Sequence, residues 1–326
     1  MKKIEKNTIW FAVVNAFAAS HKALAKWGDA ERILKQCGVE YHGSRTGKGG
    51  NAMELTFDAC MSGYRKFIAV GGDGTAHDVL GGIAAYVEWA AGNGLNVCFS
   101  DFVMGVIPIG SGNDWIRSTG VACDIRKAIE VISAGKTGRQ DVVKVSLLDE
   151  GENEISRSYM LNVGGIGIDA RVCQRVNYQK DHGKRGRILY ATSLLHALRH
   201  RVPAGAKVIC DGETVFDGRY LSMAFGVGKY SGGGMRQTPA AVLGDGLLDM
   251  TIIPDLPLMR IAREVLRLFN GTFLKVPELV TSQSKVITVV PADGMNEPVE
   301  VDGEVIGFGA VRFQVQDDQI NIVIPE

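Results

Sequence analysis

This chain of 326 residues has no excess of either charge: 36 lysines and arginines balance 36 aspartates and glutamates. No global basic field is present to hold nucleic acid, and any contact with phosphate or membrane must come from a local patch. Long hydrophobic runs are missing too. No stretch reaches the roughly 18 apolar residues that a transmembrane segment needs, so a bilayer would be met from its surface. The six cysteines, Cys37, Cys60, Cys98, Cys123, Cys173 and Cys210, include no C-x-x-C pair and no zinc-ligand spacing. That excludes the common zinc modules and reads as reduced, mostly buried thiols. Internal repeats and low-complexity linkers are also absent. Glycine is abundant, with 41 residues concentrated in loops, in a composition of 46% hydrophobic and 22% charged residues. These proportions describe a globular protein long enough for two ordinary domains.

Among the glycines, Gly71-Gly72-Asp73-Gly74-Thr75 carry the most information. They follow Phe67–Val70, an apolar run that reads as a buried strand, and precede a helical stretch from Ala76 to Ala85. A glycine turn between strand and helix lets backbone approach a phosphate, while the helix points N–H groups at the anion. A carboxylate beside a polyphosphate is repulsive unless a cation lies between them. Asp73 therefore points to magnesium-bridged nucleotide chemistry. Ile109-Gly110-Ser111-Gly112-Asn113-Asp114 repeats the logic: a strand ends, small residues turn the chain, and a helix begins at Trp115. Asn113 and Asp114 could cap that helix or face a ligand. Neither loop carries the lysine of a P-loop, so backbone dipoles and metal must offset phosphate charge.

Residues 1–140 alternate strand and helix, with strands at Ile9–Val14, Gly38–His42, Phe67–Val70 and Val103–Ile109 and helices at His21–Gln36 and Ala52–Ser62. Lys2, Lys3 and Lys6 ahead of Ile9–Val14 resemble the start of a signal peptide, but Asn15 interrupts the apolar run and a first parallel strand is the better reading. This alternation predicts an α/β fold with a doubly wound parallel sheet, whose ligands bind at the carboxyl ends of strands. From Asp141 short strands dominate: Val142–Leu148, Ser158–Val163, Lys207–Cys210, Tyr220–Val227, Leu248–Ile253, Val286–Val290, Val299–Val301, Val311–Val315 and Ile320–Ile324. Asp211-Gly212, Asp217-Gly218 and Asp302-Gly303 read as turns between them. This predicts a larger antiparallel β domain with helical inserts at Arg187–Arg201 and Pro257–Phe269. The expected division is 1–140 plus about 314–326 for the first domain and 141–313 for the second.

Taken together, these motifs resemble the diacylglycerol kinase catalytic-domain family, which includes bacterial soluble lipid kinases and sphingosine and ceramide kinases. The resemblance spans nearly the whole chain. It rests on the two glycine loops, Asn162 with Gly164–Ala170, Gly232-Gly233-Gly234-Met235, Pro239 with Asp245–Asp249, and Glu300-Val301-Asp302-Gly303-Glu304. It implies a nucleotide-binding domain shared with NAD kinases, with the C-terminal strand returning to it. ATP and Mg2+ are the implied cofactors. Gly71, Gly72, Asp73, Gly74, Thr75, Gly110, Ser111, Gly112 and Asn113 would border the nucleotide, with Asn15 and Thr46 nearby. Asp302 would be the catalytic base, with Glu304 beside it. Asp73, Asp114 and Asp141 match an acidic network joined to magnesium through water. Asp245 is the remaining member of an aspartate pair at the family's structural metal site, Gly244 standing in place of the other. Asn15-Ala16-Phe17 replaces the family's Asn-Pro loop, Ser111 replaces a threonine, and His77-Asp78 stand where bacterial members carry Asn-Glu, as on the sphingosine kinase side.

Phosphoryl transfer needs positioning, charge neutralisation and an acceptor for the hydroxyl proton. Asp302 and Glu304 could supply the acceptor; Asp302-Gly303 could equally be a plain hairpin turn. The basic run from Lys180 to Arg187 precedes an apolar face of Ile188, Leu189, Tyr190, Leu194, Leu195 and Leu198. That face suits either adsorption on anionic lipid or burial in the core. The leading expectation is a cytoplasmic lipid kinase, peripheral to the inner face of the membrane and possibly a homodimer. It would phosphorylate a hydroxyl of diacylglycerol or a related lipid. The alternatives are an NAD kinase-type enzyme and a non-catalytic nucleotide- or lipid-binding module.

Overall fold

The structure, a computed structural model, describes residues 6–16, 23–47, 50–110, 112–182, 188–201, 204–264, 267–292 and 297–326. It divides into two compact units, Met1–Val142 with Asp317–Glu326, and Val143–Gln316. Asp141 thus belongs to the first unit, in the connection before a strand that starts at Val143.

The first unit runs β1 (Trp10–Val14), α1 (Ala23–Gln36), β2 (Tyr41–Arg45), α2 (Ala52–Met61), β3 (Lys66–Gly71), α3 (Asp73–Gly92), β4 (Val103–Pro108), α4 (Asp114–Ser118), α5 (Ile125–Ala134) and β5 (Thr137–Gln140), and closes with β17 (Ile320–Val323). The sheet order is β2-β1-β3-β4-β17-β5. All neighbours are parallel except β17 and β5. β3 is apolar on both faces, as a strand covered by helices on both sides must be; Phe67, Ile68 and Ala69 are fully buried. Two elements go beyond the sequence reading. α5 starts where Asp124 accepts from the Lys127 N–H at 3.0 Å and stops at Gly135, whose φ is 71°. α3 extends well past Ala85 despite Gly81 and Gly82 in its interior. A Cβ on Gly82 would lie 2.4 Å from the Met53 carbonyl oxygen, so the glycine lets α2 and α3 approach backbone to backbone. Glycine in a helix costs ~1 kcal/mol relative to alanine, and here the close packing offsets it.

The second unit contains β6 (Val143–Leu148), β7 (Glu154–Met160), β8 (Val163–Gly167), α6 (Ile168–Asp181), α7 (Ile188–Arg199), β9 (Ala204–Cys210), β10 (Glu213–Gly226), β11 (Leu248–Pro254), α8 (Leu258–Glu264), α9 (Arg267–Asn270), β12 (Val280–Ser284), β13 (Val286–Pro291), β14 (Pro298–Val301), β15 (Glu304–Phe308) and β16 (Ala310–Val315). Nine strands follow the order β15-β14-β8-β10-β9-β13-β16-β6-β7, and β11 joins β10 to β12. Every pairing is antiparallel. The core gathers Val208, Met223, Ile287 and the stacked rings of Phe225 and Phe313, 4.3 Å apart.

One expected turn and one expected strand differ from the sequence reading. Asp217-Gly218 is no turn: both residues lie inside β10 and pair with Lys207 and Ala206. Asp211-Gly212 does turn the chain, with φ of 47° and 91°. The run expected as one strand over Ser158–Val163 is broken at Leu161-Asn162 into β7 and β8. Among the described residues no helix is long and apolar enough to cross a membrane.

Candidate active site

In the first unit, the two glycine loops lie at the ends of β3 and β4 and interlock through their backbones. The Gly71 carbonyl accepts from the N–H groups of Ile109 (2.8 Å) and Gly110 (2.9 Å). A Cβ on Gly110 would sit 2.4 Å from Gly72 Cα, and one on Gly71 would sit 2.1 Å from Thr75 Oγ1. Neither place admits a side chain, so the glycines are required by approach rather than by φ. Gly72 is the N-cap of α3 and offers no side-chain acceptor to its first turn. An anion supplied from outside can take that place.

Asp73 ties the second loop to the first. Its Oδ1 accepts from the Trp115 N–H at 3.0 Å, and its Oδ2 lies where a Cβ on Gly112 would come within 2.8 Å. Thr75 Oγ1 accepts from Asn15 Nδ2 at 3.1 Å, which brings Asn15, at the end of β1, to the same loop. Thr46 follows β2 and donates its N–H to Val14 at 2.9 Å. Asn113 stands in the left-handed region with φ 55°. Its Nδ2 donates to the Gly110 carbonyl at 2.9 Å, and its Oδ1 is buried with no hydrogen-bond partner, facing Gly72 and Gly110. An orphaned acceptor beside a glycine-walled cradle suits a ligand that brings its own donor. Ser111 falls outside the described residues.

The remaining first-unit carboxylates have partners of their own. Asp114 is paired with Arg117 at 3.0 Å, and Asp141, fully buried, accepts from Gln319 Nε2 at 2.8 Å. His77 is buried on α3, and its charge partly offsets the burial that raises the pKa of neighbouring Asp78. No group of three or more His, Cys, Asp or Glu side chains that could hold a metal gathers among the described residues. Asp245, in the second unit, accepts from the Leu247 N–H at 3.1 Å within its own turn.

The second unit builds its acidic turn around Asp302. Asp302 and Gly303, with φ of 52° and 91°, join β14 to β15 as a two-residue hairpin with both central residues left-handed. The hairpin reading and the functional reading are therefore not exclusive. Asp302 Oδ2 accepts from the Leu161 N–H (2.8 Å), and Oδ1 from those of Asn162 (2.8 Å) and Val163 (3.2 Å). This is why the strand breaks at Leu161-Asn162: those N–H groups serve a carboxylate instead of a ladder. Asn162 Nδ2 in turn donates to the Tyr230 carbonyl at 2.7 Å, anchoring the loop that leads into Gly232, Gly233 and Gly234. All three glycines have positive φ.

The sequence reading assigned no role to Glu300 or Asp169. Glu300 lies on β14, whose residues are all buried, and its Oε2 accepts from the Gly303 N–H at 2.9 Å. Burial pushes its pKa well above the usual carboxylate range; the Gly303 hydrogen bond opposes this, and Asp169, Asp302 and Glu304 add to it. Burial likewise raises Asp169, against hydrogen bonds from Ser222 and Gln237. The signal for Glu300 was an acidic residue between two valines in a strand with no polar face.

The α7 face resolves toward the core: Leu189, Leu194 and Leu198 pack with Val172 and Val176 of α6, and Leu195 is exposed. The side chains of Ile188 and Tyr190, and residues 183–187 of the basic run, lie outside the described ones.

The diacylglycerol kinase catalytic domain matches residues 10–145, and the YegS C-terminal NAD kinase beta sandwich-like domain matches residues 162–324, half of the chain. The chain belongs to the diacylglycerol kinase catalytic-domain family. Members similar to it include a diacylglycerol kinase of Staphylococcus carnosus (strain TM300), 25% identical over 296 residues, 90% of this chain and 87% of that protein. Another is a diacylglycerol kinase of Mycobacterium tuberculosis (strain CDC 1551 / Oshkosh), 28% identical over 293 residues, 89% of this chain and 84% of that protein. The crystal structure of a diacylglycerol kinase from Bacillus anthracis str. Sterne shares the fold, with a TM-score of 0.72 and 19% identity over 98% of this chain and 97% of that one. The family is one of phosphotransferases, and the α/β unit followed by an antiparallel β unit is its architecture.

Proposed function

We propose that the protein is an ATP- and magnesium-dependent lipid kinase that transfers the γ-phosphoryl group to a primary hydroxyl of diacylglycerol or a related lipid. The observation that carries this reading is the interlocked pair of glycine loops with Asp73 spanning them. Their walls exclude Cβ atoms, their helix end lacks a side-chain cap, and Asn113 presents an unsatisfied acceptor. The walls and the uncapped helix end fit a polyphosphate, and the Asn113 oxygen suits a hydrogen-bond donor carried elsewhere on the same nucleotide. Magnesium that arrives on nucleotide phosphates needs only one or two protein carboxylates. Asp73 would hold that ion, with Asp114 and Asp141 acting through water, and the ion supplies charge neutralisation to the phosphates. Asp245 is not assigned to it.

In the second unit Asp302 takes the proton of the attacking hydroxyl, its carboxylate aimed by backbone donors that are part of the fold. A positioned base is worth on the order of 10²–10⁴ in rate. The acceptor is held at a membrane surface, and the family relationship supports a lipid alcohol over NAD. The test is incubation of purified protein with labelled ATP, Mg2+ and either NAD or vesicles of mixed lipids. Label in the organic phase supports the proposal. Label in NADP would assign the NAD kinase-type activity instead, and ATP binding without turnover on any lipid would leave a non-catalytic module.

A further inference from the structure

The polar groups at the acid turn are held from two sides. The backbone of residues 161–163 holds Asp302 from one side. From the other, α6 presents Cys173 and Asn177, one helical turn apart and therefore on one face. Asn177 Nδ2 donates to the Gly303 carbonyl at 3.0 Å and to Glu304 Oε2 at 3.1 Å. The Cys173 thiol reaches the same carbonyl at 2.8 Å. Gly303 is thus fixed on both sides, its N–H by Glu300 and its carbonyl by α6. Glu304 is an exposed residue at the start of β15, where a carboxylate would ordinarily sample several rotamers. The amide bridge removes that freedom, and a hydrogen bond to a charged acceptor is a strong one.

We propose that Asn177 is a positioning residue of this enzyme: its single amide locks Glu304 to the Gly303 peptide and so fixes the second carboxylate of the acid turn relative to the first. The inference rests on the reading of Asp302 and Glu304 as the proton-handling pair of the kinase. α6 follows β8 directly, so the backbone N–H groups that aim Asp302, running from Leu161 to the first residue of β8, and the helix that aims Glu304 are one continuous segment, residues 161–181. Two carboxylates on one tight turn are held apart in direction by the two ends of that segment.

The experiment is a double-mutant cycle on the full chain with the lipid-kinase assay. Asn177→Leu, similar in size and without a donor, should lower kcat about 10-fold, the effect of losing a hydrogen bond to a charged group. The KM for ATP should not change, and the melting temperature should stay within a few degrees. In a Glu304→Ala background the same substitution should lower kcat by less than about twofold, because interactions that run through one partner are not additive. Asn177→Ser, too short to reach Glu304, carries the same expectation if the leucine variant melts early. The proposal is overturned if Glu304→Ala loses activity while both Asn177 variants keep wild-type kcat, or if the losses multiply in the double variant. Wild-type kcat in Glu304→Ala itself would overturn the underlying assignment of Glu304, and this inference with it.

Discussion

Replacing Asp302 with asparagine probes the acid turn most sharply. In the native turn Oδ2 accepts from Leu161, and Oδ1 accepts from Asn162 and Val163. Asparagine offers one oxygen and one NH2. Its cheaper orientation keeps the oxygen on Asn162 and Val163 and turns the NH2 toward the Leu161 N–H, at a residue only 1% exposed. A buried donor that loses its acceptor costs about 1–3 kcal/mol. At roughly 2–4 °C per kcal/mol for a domain of this size, the variant should melt about 2–12 °C lower, and remain folded at room temperature. Turnover should fall far more than stability, by on the order of 10²–10⁴, because the group proposed to accept the hydroxyl proton is gone. ATP affinity should hold, since the proposed nucleotide loops belong to the other compact unit. The assay pairs labelled-lipid formation at saturating ATP with calorimetric nucleotide binding and a thermal melt. Near-normal turnover would remove Asp302 from its role. ATP binding that falls in step with turnover would mark a folding defect and refute the separation of the two losses.

Gly110→Ala should weaken ATP binding about tenfold or more, because its Cβ would meet the Gly72 backbone at 2.4 Å and overpacking of that kind costs ~1–3 kcal/mol; an unchanged dissociation constant would contradict the interlocked loops. Glu300 ionises in the unfolded chain from about pH 4.3 upward, whereas burial keeps the proton on in the folded state to higher pH. The folded state therefore binds a proton that the unfolded state has released, and stability falls as pH rises across that interval. Glu300→Gln, whose oxygen can still accept from Gly303, should flatten the decline in melting temperature between pH 5 and pH 8, and an equally steep profile would show that Glu300 is not its source. Asp124→Ala should cost about 1 kcal/mol through the lost cap of α5 and leave turnover untouched, measured by melt and assay together.

Much of the first unit was legible because its physics is local. Phe67–Val70 is an uninterrupted apolar run, and glycine at Gly71, Gly72 and Gly110 announces a close approach that the structure explains atom by atom. α5 was equally legible in principle, since Asp124 and Gly135 are ordinary start and stop signals. The second unit was harder. Asp211-Gly212, Asp217-Gly218 and Asp302-Gly303 are identical dipeptides, yet the first and third turn the chain and the second pairs inside β10. Only tertiary pairing with β9 separates them. The break between β7 and β8 depends on a carboxylate 140 residues away from Asn162, and no local pattern contains that. α6 carries few apolar residues, and its hold on the acid turn through Asn177 becomes visible only once β15 lies beside it.

Phosphoryl transfer from ATP to a lipid alcohol is proposed to run through the loop that Asp73 completes. The most direct measurement is mass spectrometry of the lipid extract after wild-type protein and Asp73→Asn are each incubated with ATP, Mg2+ and mixed-lipid vesicles. Wild type should yield a new phosphorylated lipid and the variant at least about 10²-fold less, a loss comparable to removing a principal electrostatic contact to the transferring group. Equal product from both proteins, or none from wild type across the lipid panel, would contradict that proposal.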